Sequence, residues 1–220
     1  MYRIAVLASG RGSNLRAVLE AIGQGELAAS VVGVFSDKPA CGAIALAREA
    51  GVPTVALSPR NYPSRTAFDE SLFNEIAAVQ PDLIVLAGYM RIISENSVRK
   101  FEDLMINLHP SLLPSYPSLD TYARALADGA SEHGSSVHRV IPDLDAGPVL
   151  AQVRVPVLPG DDAELLAQRT QAREHPLLVA CLRALANGRM RLGLGIASFD
   201  DRPIITPLQL AANNQLEWAA

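Results

Sequence analysis

Two stretches of this chain, Val31-Val32-Gly33-Val34-Phe35 and Leu83-Ile84-Val85-Leu86, are apolar without any polar alternation. A strand with one face in water alternates apolar and polar side chains, so these runs fit strands buried on both faces, the condition of a parallel sheet covered by helices. Segments of helical period lie between the short runs: residues 4–7 precede 15–22, residues 31–35 precede 42–50, and 68–79 precede 83–86. That order predicts an α/β fold with an open, mainly parallel, Rossmann-like sheet and helices on both faces.

The pattern changes after about residue 133. Residues 136–141 and 149–155 read as two strands joined by Pro142-Asp143-Leu144-Asp145-Ala146-Gly147-Pro148, which predicts an antiparallel strand pair toward the C-terminal part. A long helix is expected over about 162–187, with Asp161 and Asp162 suited to cap its start and Gly188 its end. From Gly193 onward the chain reads as short strands and turns, ending in a polar-apolar mix expected to be loosely ordered. A length of 220 residues with 49% hydrophobic content suits one domain over 1–220. Within it a phosphate- or nucleotide-binding half covers about 1–100, a catalytic half about 101–192, and a tail 193–220.

Charge and cysteine usage narrow the classes. A net charge of -4 and a pI near 5.6 give no basic footprint for nucleic acid, and lysine occurs only at Lys38 and Lys100. Cys41 and Cys181 have no neighbouring Cys or His at metal-ligand spacing, so they read as small core residues in a reducing compartment. The apolar stretch 2–8 is too short for a signal sequence or a membrane span, and cytoplasm is the expected address.

Residues 4–7 run into Ser9-Gly10-Arg11-Gly12-Ser13-Asn14 and then a helix. Backbone N–H groups and the positive end of a helix dipole converge there, and phosphate is the natural occupant. A dinucleotide is a poorer fit, because Leu15 stands where a third glycine belongs and only Asp37 offers a ribose-binding acid.

Met105-Ile106-Asn107-Leu108-His109-Pro110 reads as a strand entering a proline-bounded loop. Alternation puts Asn107 and His109 on one face, at the carboxyl edge where open α/β sheets bind ligands. Asn offers an amide donor, and His a proton that moves near neutral pH. The next strand opens with His133-Gly134-Ser135-Ser136-Val137-His138, where Ser136 and His138 share a face. The following loop supplies a carboxylate, and local pattern leaves Asp143 and Asp145 equally eligible.

Taken together, Ser-Gly-Arg-Gly-Ser-Asn (9–14), Ala-Gly-Tyr-Met-Arg-Ile (87–92), Asn-Leu-His-Pro-Ser-Leu-Leu-Pro (107–114), His-Gly-Ser-Ser-Val-His (133–138) and Asp-Leu-Asp-Ala-Gly-Pro (143–148) resemble the folate-dependent formyltransferases. The resemblance implies a catalytic set of Asn107, His109 and Asp145. It implies that Gly12, Ser13, Asn14 and Arg65 hold a substrate phosphate and that Glu174 contacts a ribose. Met90, Arg91, Ile92 and Ile93, with Asn107, Asp145 and the 141–146 loop, would line the folate pocket; Ser136 and His138 would support the centre. The implied substrates are 10-formyltetrahydrofolate as formyl donor and glycinamide ribonucleotide as acceptor. The implied protein uses no metal, binds neither nucleic acid nor membrane, and is a monomer or homodimer. Ser118 stands where relatives usually carry Gly, and Asp120 where His is common, which adds bulk beside the acceptor.

Rival expectations within this group are a formyltetrahydrofolate hydrolase, a sugar-nucleotide formyltransferase and a tRNA formyltransferase. The last is disfavoured by the short tail and acidic balance. Outside it stand a dehydrogenase and a nucleotide-binding module without catalysis.

Overall fold

The computed structural model describes residues 1–193 and 195–219, folded as two compact units, Met1–Asn107 and Leu108–Ala220. The first unit comprises strands β1 (Tyr2–Leu7), β2 (Ala29–Ser36), β3 (Thr54–Ala56), β4 (Leu83–Leu86) and the start of β5 (Met105–His109). Between them lie helices α1 (Ser13–Gly23), α2 (Gly42–Glu49), α3 (Arg65–Ala78) and α4 (Glu95–Phe101). All four strand pairings are parallel, in the order β5-β4-β1-β2-β3. The unalternating apolar runs fall in β2 and β4, and every residue of β4 is buried.

Helix α1 packs on α2, and α3 packs on α4. The chain leaves β1 toward β2 and β3 and later returns to β4 on the other side of β1, so right-handed crossovers put α3 on the face opposite α1 and α2. The order reverses between β1 and β4, and their carboxyl ends are stitched together: Ser9 N–H donates to the Gly88 carbonyl at 3.0 Å and Met90 N–H to Ser9 Oγ at 3.0 Å. A switch point of this kind is where an open sheet leaves a crevice for ligands.

The second unit is built on β6 (Glu132–Arg139) and β7 (Val149–Pro156), the expected antiparallel pair, preceded by α5 (Thr121–Ala127) and followed by α6 (Ala163–Ala186). Helix α6 packs on both strands and on α5. Its start is capped by Asp162, whose carboxylate accepts from Leu165 N–H at 2.8 Å. Asp161 takes a different part, accepting from Leu158 N–H and pairing with Arg169.

The tail forms the short strands expected of it, and its end is tied into them. β8 (Met190–Arg191), β9 (Ser198–Phe199) and β10 (Arg202–Pro203) make a small antiparallel sheet. β11 (Leu208–Leu210) pairs in parallel with β7 and β12 (Leu216–Glu217) runs antiparallel to β11. Leu208, Leu210 and Leu216 are buried, so the apolar members of this mixed stretch anchor it. Leu194 and Ala220 of that tail lie outside the described residues. No described helix is long and apolar enough to cross a membrane.

Candidate functional site

In the first unit the glycine loop turns between β1 and α1. Gly12 has φ +86° and a side-chain carbon on it would lie 2.8 Å from the Ala43 Cα of α2, so both conformation and space demand glycine. Gly12 occupies the helix N-cap and, having no side chain, does not itself cap the first amides of α1. Leu15 is fully buried at the position of the absent third glycine. Asp37 is buried as well, and its carboxylate accepts from Ser9 Oγ at 2.5 Å. That carboxylate tethers the loop instead of presenting itself to a ribose diol, which counts against a dinucleotide.

The segment after β4 presents Met90 and Ile92 at 60% and 53% exposure, while Ile93 is buried. The Met90 and Ile92 side chains are displayed to solvent and do not pack into the core. Sequence reasoning missed the residue that anchors this loop. Asp69 on α3 is wholly buried, and its Oδ2 accepts from Ser94 N–H at 2.6 Å. Burial pushes its carboxyl above the usual range, opposed by the Ser94 hydrogen bonds and by the charges of Arg91 and Arg65. The Arg91 guanidinium lies 5.0 Å from the centre of the Phe68 ring. Of the residues expected at a phosphate, Gly12 is the N-cap of α1 and Ser13 and Asn14 open that helix; Arg65 is exposed at the start of α3, electrostatically coupled to Asp69.

Asn107, half-buried, is the last residue of the first unit and pairs with Leu86 across β4 and β5. His109 ends the same strand two residues on, as alternation required. In the second unit His109 and Asp145 come together: His109 Nδ1 is 3.5 Å from Asp145 Oδ2, with both side chains less than a tenth exposed. The other ring nitrogen, Nε2, is 3.0 Å from the Tyr116 carbonyl oxygen. A carbonyl only accepts, so Nε2 carries hydrogen, and a ring so placed donates to Asp145 only as imidazolium.

A second imidazole flanks the same carboxylate. His138 Nε2 is 3.7 Å from Asp145 Oδ1, and His138 Nδ1 donates to the Arg139 carbonyl at 2.8 Å. Burial pushes His138 below the ordinary histidine range and outweighs the opposing pull of its hydrogen bond to Arg139 and of Asp145, so His138 favours the neutral form. One carboxylate therefore faces two imidazoles, of which burial pushes His138 toward its neutral form.

Of the two loop acids, Asp145 is the one whose carboxylate faces His109. Asp145 has φ +52° and turns its carboxylate inward, whereas Asp143 is exposed. Its Oδ2 also accepts from Ser118 N–H at 2.8 Å. Ser118 has φ +70° and Asp120 φ +58°, the left-handed region in which glycine is at ease; Asp120 makes no side-chain cap to α5. A side-chain carbon on Gly147 would overlap the Arg139 carbonyl oxygen, the acceptor of His138, so the loop closes only with glycine there.

Ser136 Oγ donates to the Ser111 carbonyl at 2.7 Å and accepts from Leu113 N–H at 3.0 Å. Ser135, on the other face of β6, donates to Glu174 Oε2 at 2.9 Å, which fixes that carboxylate on α6. Nothing in the sequence pattern announced that bond. Among the described residues no group of three or more His, Cys, Asp or Glu is placed to hold a metal ion.

The formyl transferase family matches residues 2–182. A phosphoribosylglycinamide formyltransferase of Escherichia coli is 41% identical over 197 residues, covering 90% of this chain and 93% of that protein. One of Mycobacterium tuberculosis is 45% identical over 184 residues, covering 84% and 85%. The solved phosphoribosylglycinamide formyltransferase of Coxiella burnetii superposes with a TM-score of 0.87 at 41% identity, covering 92% of this chain and 95% of that one. With this match spanning most of its length, the chain belongs to the formyl transferase family.

Proposed function

We propose that this protein is a phosphoribosylglycinamide formyltransferase, which moves the formyl group of 10-formyltetrahydrofolate onto the amine of glycinamide ribonucleotide in purine biosynthesis. The observation that carries the reading is the buried His109–Asp145 pair, with its ring fixed from behind by the Tyr116 carbonyl. The reading brings with it small-molecule partners and a cytoplasmic address.

Formyl transfer is an acyl transfer. The amine nitrogen attacks the formyl carbon, the carbonyl oxygen takes up negative charge, and the bond from that carbon to folate N10 breaks. One proton leaves the attacking amine and one reaches N10, giving formylated ribonucleotide and tetrahydrofolate. The oxyanion is the species to stabilise. In this reading the Asn107 amide donates to it, contributing on the order of 10²- to 10³-fold in rate, and an imidazolium at His109, whose two N–H groups face Tyr116 and Asp145, stabilises it by its positive charge. Asp145 orients the ring and favours its charged form, while His138, held neutral by burial, leaves that carboxylate to His109.

Binding divides between two chemistries. The Gly12, Ser13 and Asn14 amides suit the ribonucleotide phosphate, with Arg65 as an additional cation, and Glu174 suits its ribose hydroxyls. Met90, Arg91, Ile92 and Ile93 suit the flat, partly apolar folate, with the 141–146 loop contributing backbone groups.

The test is deformylation of 10-formyltetrahydrofolate, followed by absorbance with and without glycinamide ribonucleotide. Turnover that requires the ribonucleotide supports the transferase. Equal turnover in water alone would establish the hydrolase instead, and no turnover in either arm would leave a binding module.

A further inference from the structure

The groups that hold His109 and Asp145 are backbone atoms of one loop: the Tyr116 carbonyl and the Ser118 amide. What holds that loop is a buried polar cluster on the sheet of the second unit. Gln152 on β7 and Ser136 on β6 are cross-strand partners, both buried. Gln152 Nε2 donates to the Leu113 carbonyl at 2.9 Å and to Ser136 Oγ at 2.9 Å, using both of its hydrogens. Ser136 Oγ in turn gives its single hydrogen to the Ser111 carbonyl and accepts from Leu113 N–H, so its hydroxyl is saturated too. Ser111 passes the constraint on, since its hydroxyl donates to the Ser115 carbonyl at 2.6 Å, one residue before Tyr116.

A polar cluster in which each hydrogen is committed is rigid, because any shift of the loop leaves a buried group unsatisfied. Gln152 stands at the middle of β7, whose neighbours Leu150, Ala151 and Val153 are all buried and apolar. A glutamine there gains nothing from core packing that a methionine would not provide, while its two donors reach the loop that frames the reacting pair.

We propose that Gln152 is a positioning residue of the reaction: through Ser136 and the 111–115 turn it fixes the Tyr116 carbonyl and the Ser118 amide, and so the alignment of His109 with Asp145. The proposal rests on the reading of His109 and Asp145 as the reacting pair.

The test compares Gln152→Met, which keeps length and removes both donors, with Gln209→Met. Gln209 is the register partner of Gln152 on the adjoining strand β11, and its side-chain amide donates locally, to the Pro207 carbonyl. In Gln152→Met, kcat is expected to fall on the order of 10²-fold while both KM values stay within roughly threefold. The His109 ring N–H resonance, held at Nε2 by Tyr116, is expected to shift and to exchange faster with solvent. Gln209→Met should leave kcat and the resonance as they are. Ser136→Ala, a smaller change in the same cluster, should move the resonance in the same direction and keeps the test decisive if Gln152→Met fails to fold.

Full kcat with an unmoved resonance would overturn the proposal, and so would a rise in KM alone or a loss matched by Gln209→Met at equal melting temperature. The resonance is read without substrate. A wild-type protein lacking turnover would thus sink the functional reading, while the resonance separately decides whether Gln152 holds the loop.

Discussion

Asp145 Oδ2 lies 3.5 Å from His109 Nδ1, on the opposite side of the ring from the Tyr116 carbonyl that receives Nε2–H. The imidazole therefore sits between two acceptors, an arrangement satisfied in full only by the imidazolium. Asp145→Asn keeps the shape and removes the charge that favours that form. The expected result is a fall in kcat of roughly 10²- to 10⁴-fold with donor binding retained, read by steady-state formyl transfer. A rise in the acceptor KM alone would make Asp145 a binding residue.

Asn107 is predicted to act through its amide N–H. Asn107→Asp places negative charge where the oxyanion forms, and transfer should drop by at least about 10²-fold while the circular dichroism spectrum and melting temperature stay close to wild type. Turnover near normal in a folded Asn107→Asp protein would remove Asn107 from the oxyanion site.

Gly12→Ala strains a φ of +86° and drives a carbon toward the Ala43 backbone. The loop must shift or the helices part, at a cost of about 1–3 kcal/mol. The acceptor KM should rise tenfold or more, by roughly 1.4 kcal/mol of lost binding, and the donor KM should hold. Equal rises in both would mean that the loop supports the fold and not the phosphate.

His133 gives the protein an acid-sensitive core. Burial, then the charge of His109, lowers its pKa to about 4 from 6.5, and its ring packs 4.9 Å from that of Tyr122. Between these values the unfolded chain binds a proton that the folded chain refuses, so stability is lost as pH falls from 6.5 toward 4. The full window amounts to at most about 3 kcal/mol, and His138, also lowered by burial, adds in the same direction. Thermal melts at pH 7 and pH 5 should show a smaller drop for His133→Gln than for wild type. Identical drops would place the acid sensitivity elsewhere.

Asp69→Asn tests the anchor of the 90–94 segment, which the proposed function assigns to the folate. The variant keeps an acceptor for Ser94 N–H but loses the charge coupled to Arg91 and Arg65. A donor KM raised by roughly fivefold, with kcat and the acceptor KM little changed, is the expected outcome. An unchanged donor KM would show that the 90–93 segment needs no charge beneath it.

Much of this protein was legible in its sequence because the signals were local. Unalternating apolar runs specify strands buried on both faces; β4 is buried along its whole length, and β2 from Gly33 to Ser36. A polar Asn and His two residues apart on one strand must share a face, and the glycine loop follows from backbone conformation alone. Gln152 and Asp69 left a fainter trace, each a polar residue amid apolar neighbours, with no indication of which distant carbonyl or amide it served. Other features were decided only in three dimensions. Asp143 and Asp145 are equivalent as text, and the left-handed turn at Asp145 makes one of them the partner of His109. The ordering of the tail depended on β7 offering an edge to β11, and the framing of His109 depended on backbone groups of residues 116 and 118. Periodicity fixes which face a side chain takes, because pleat and helix pitch are properties of neighbouring residues. It cannot fix which distant group that side chain meets, because that is set by loop closure across tens of residues.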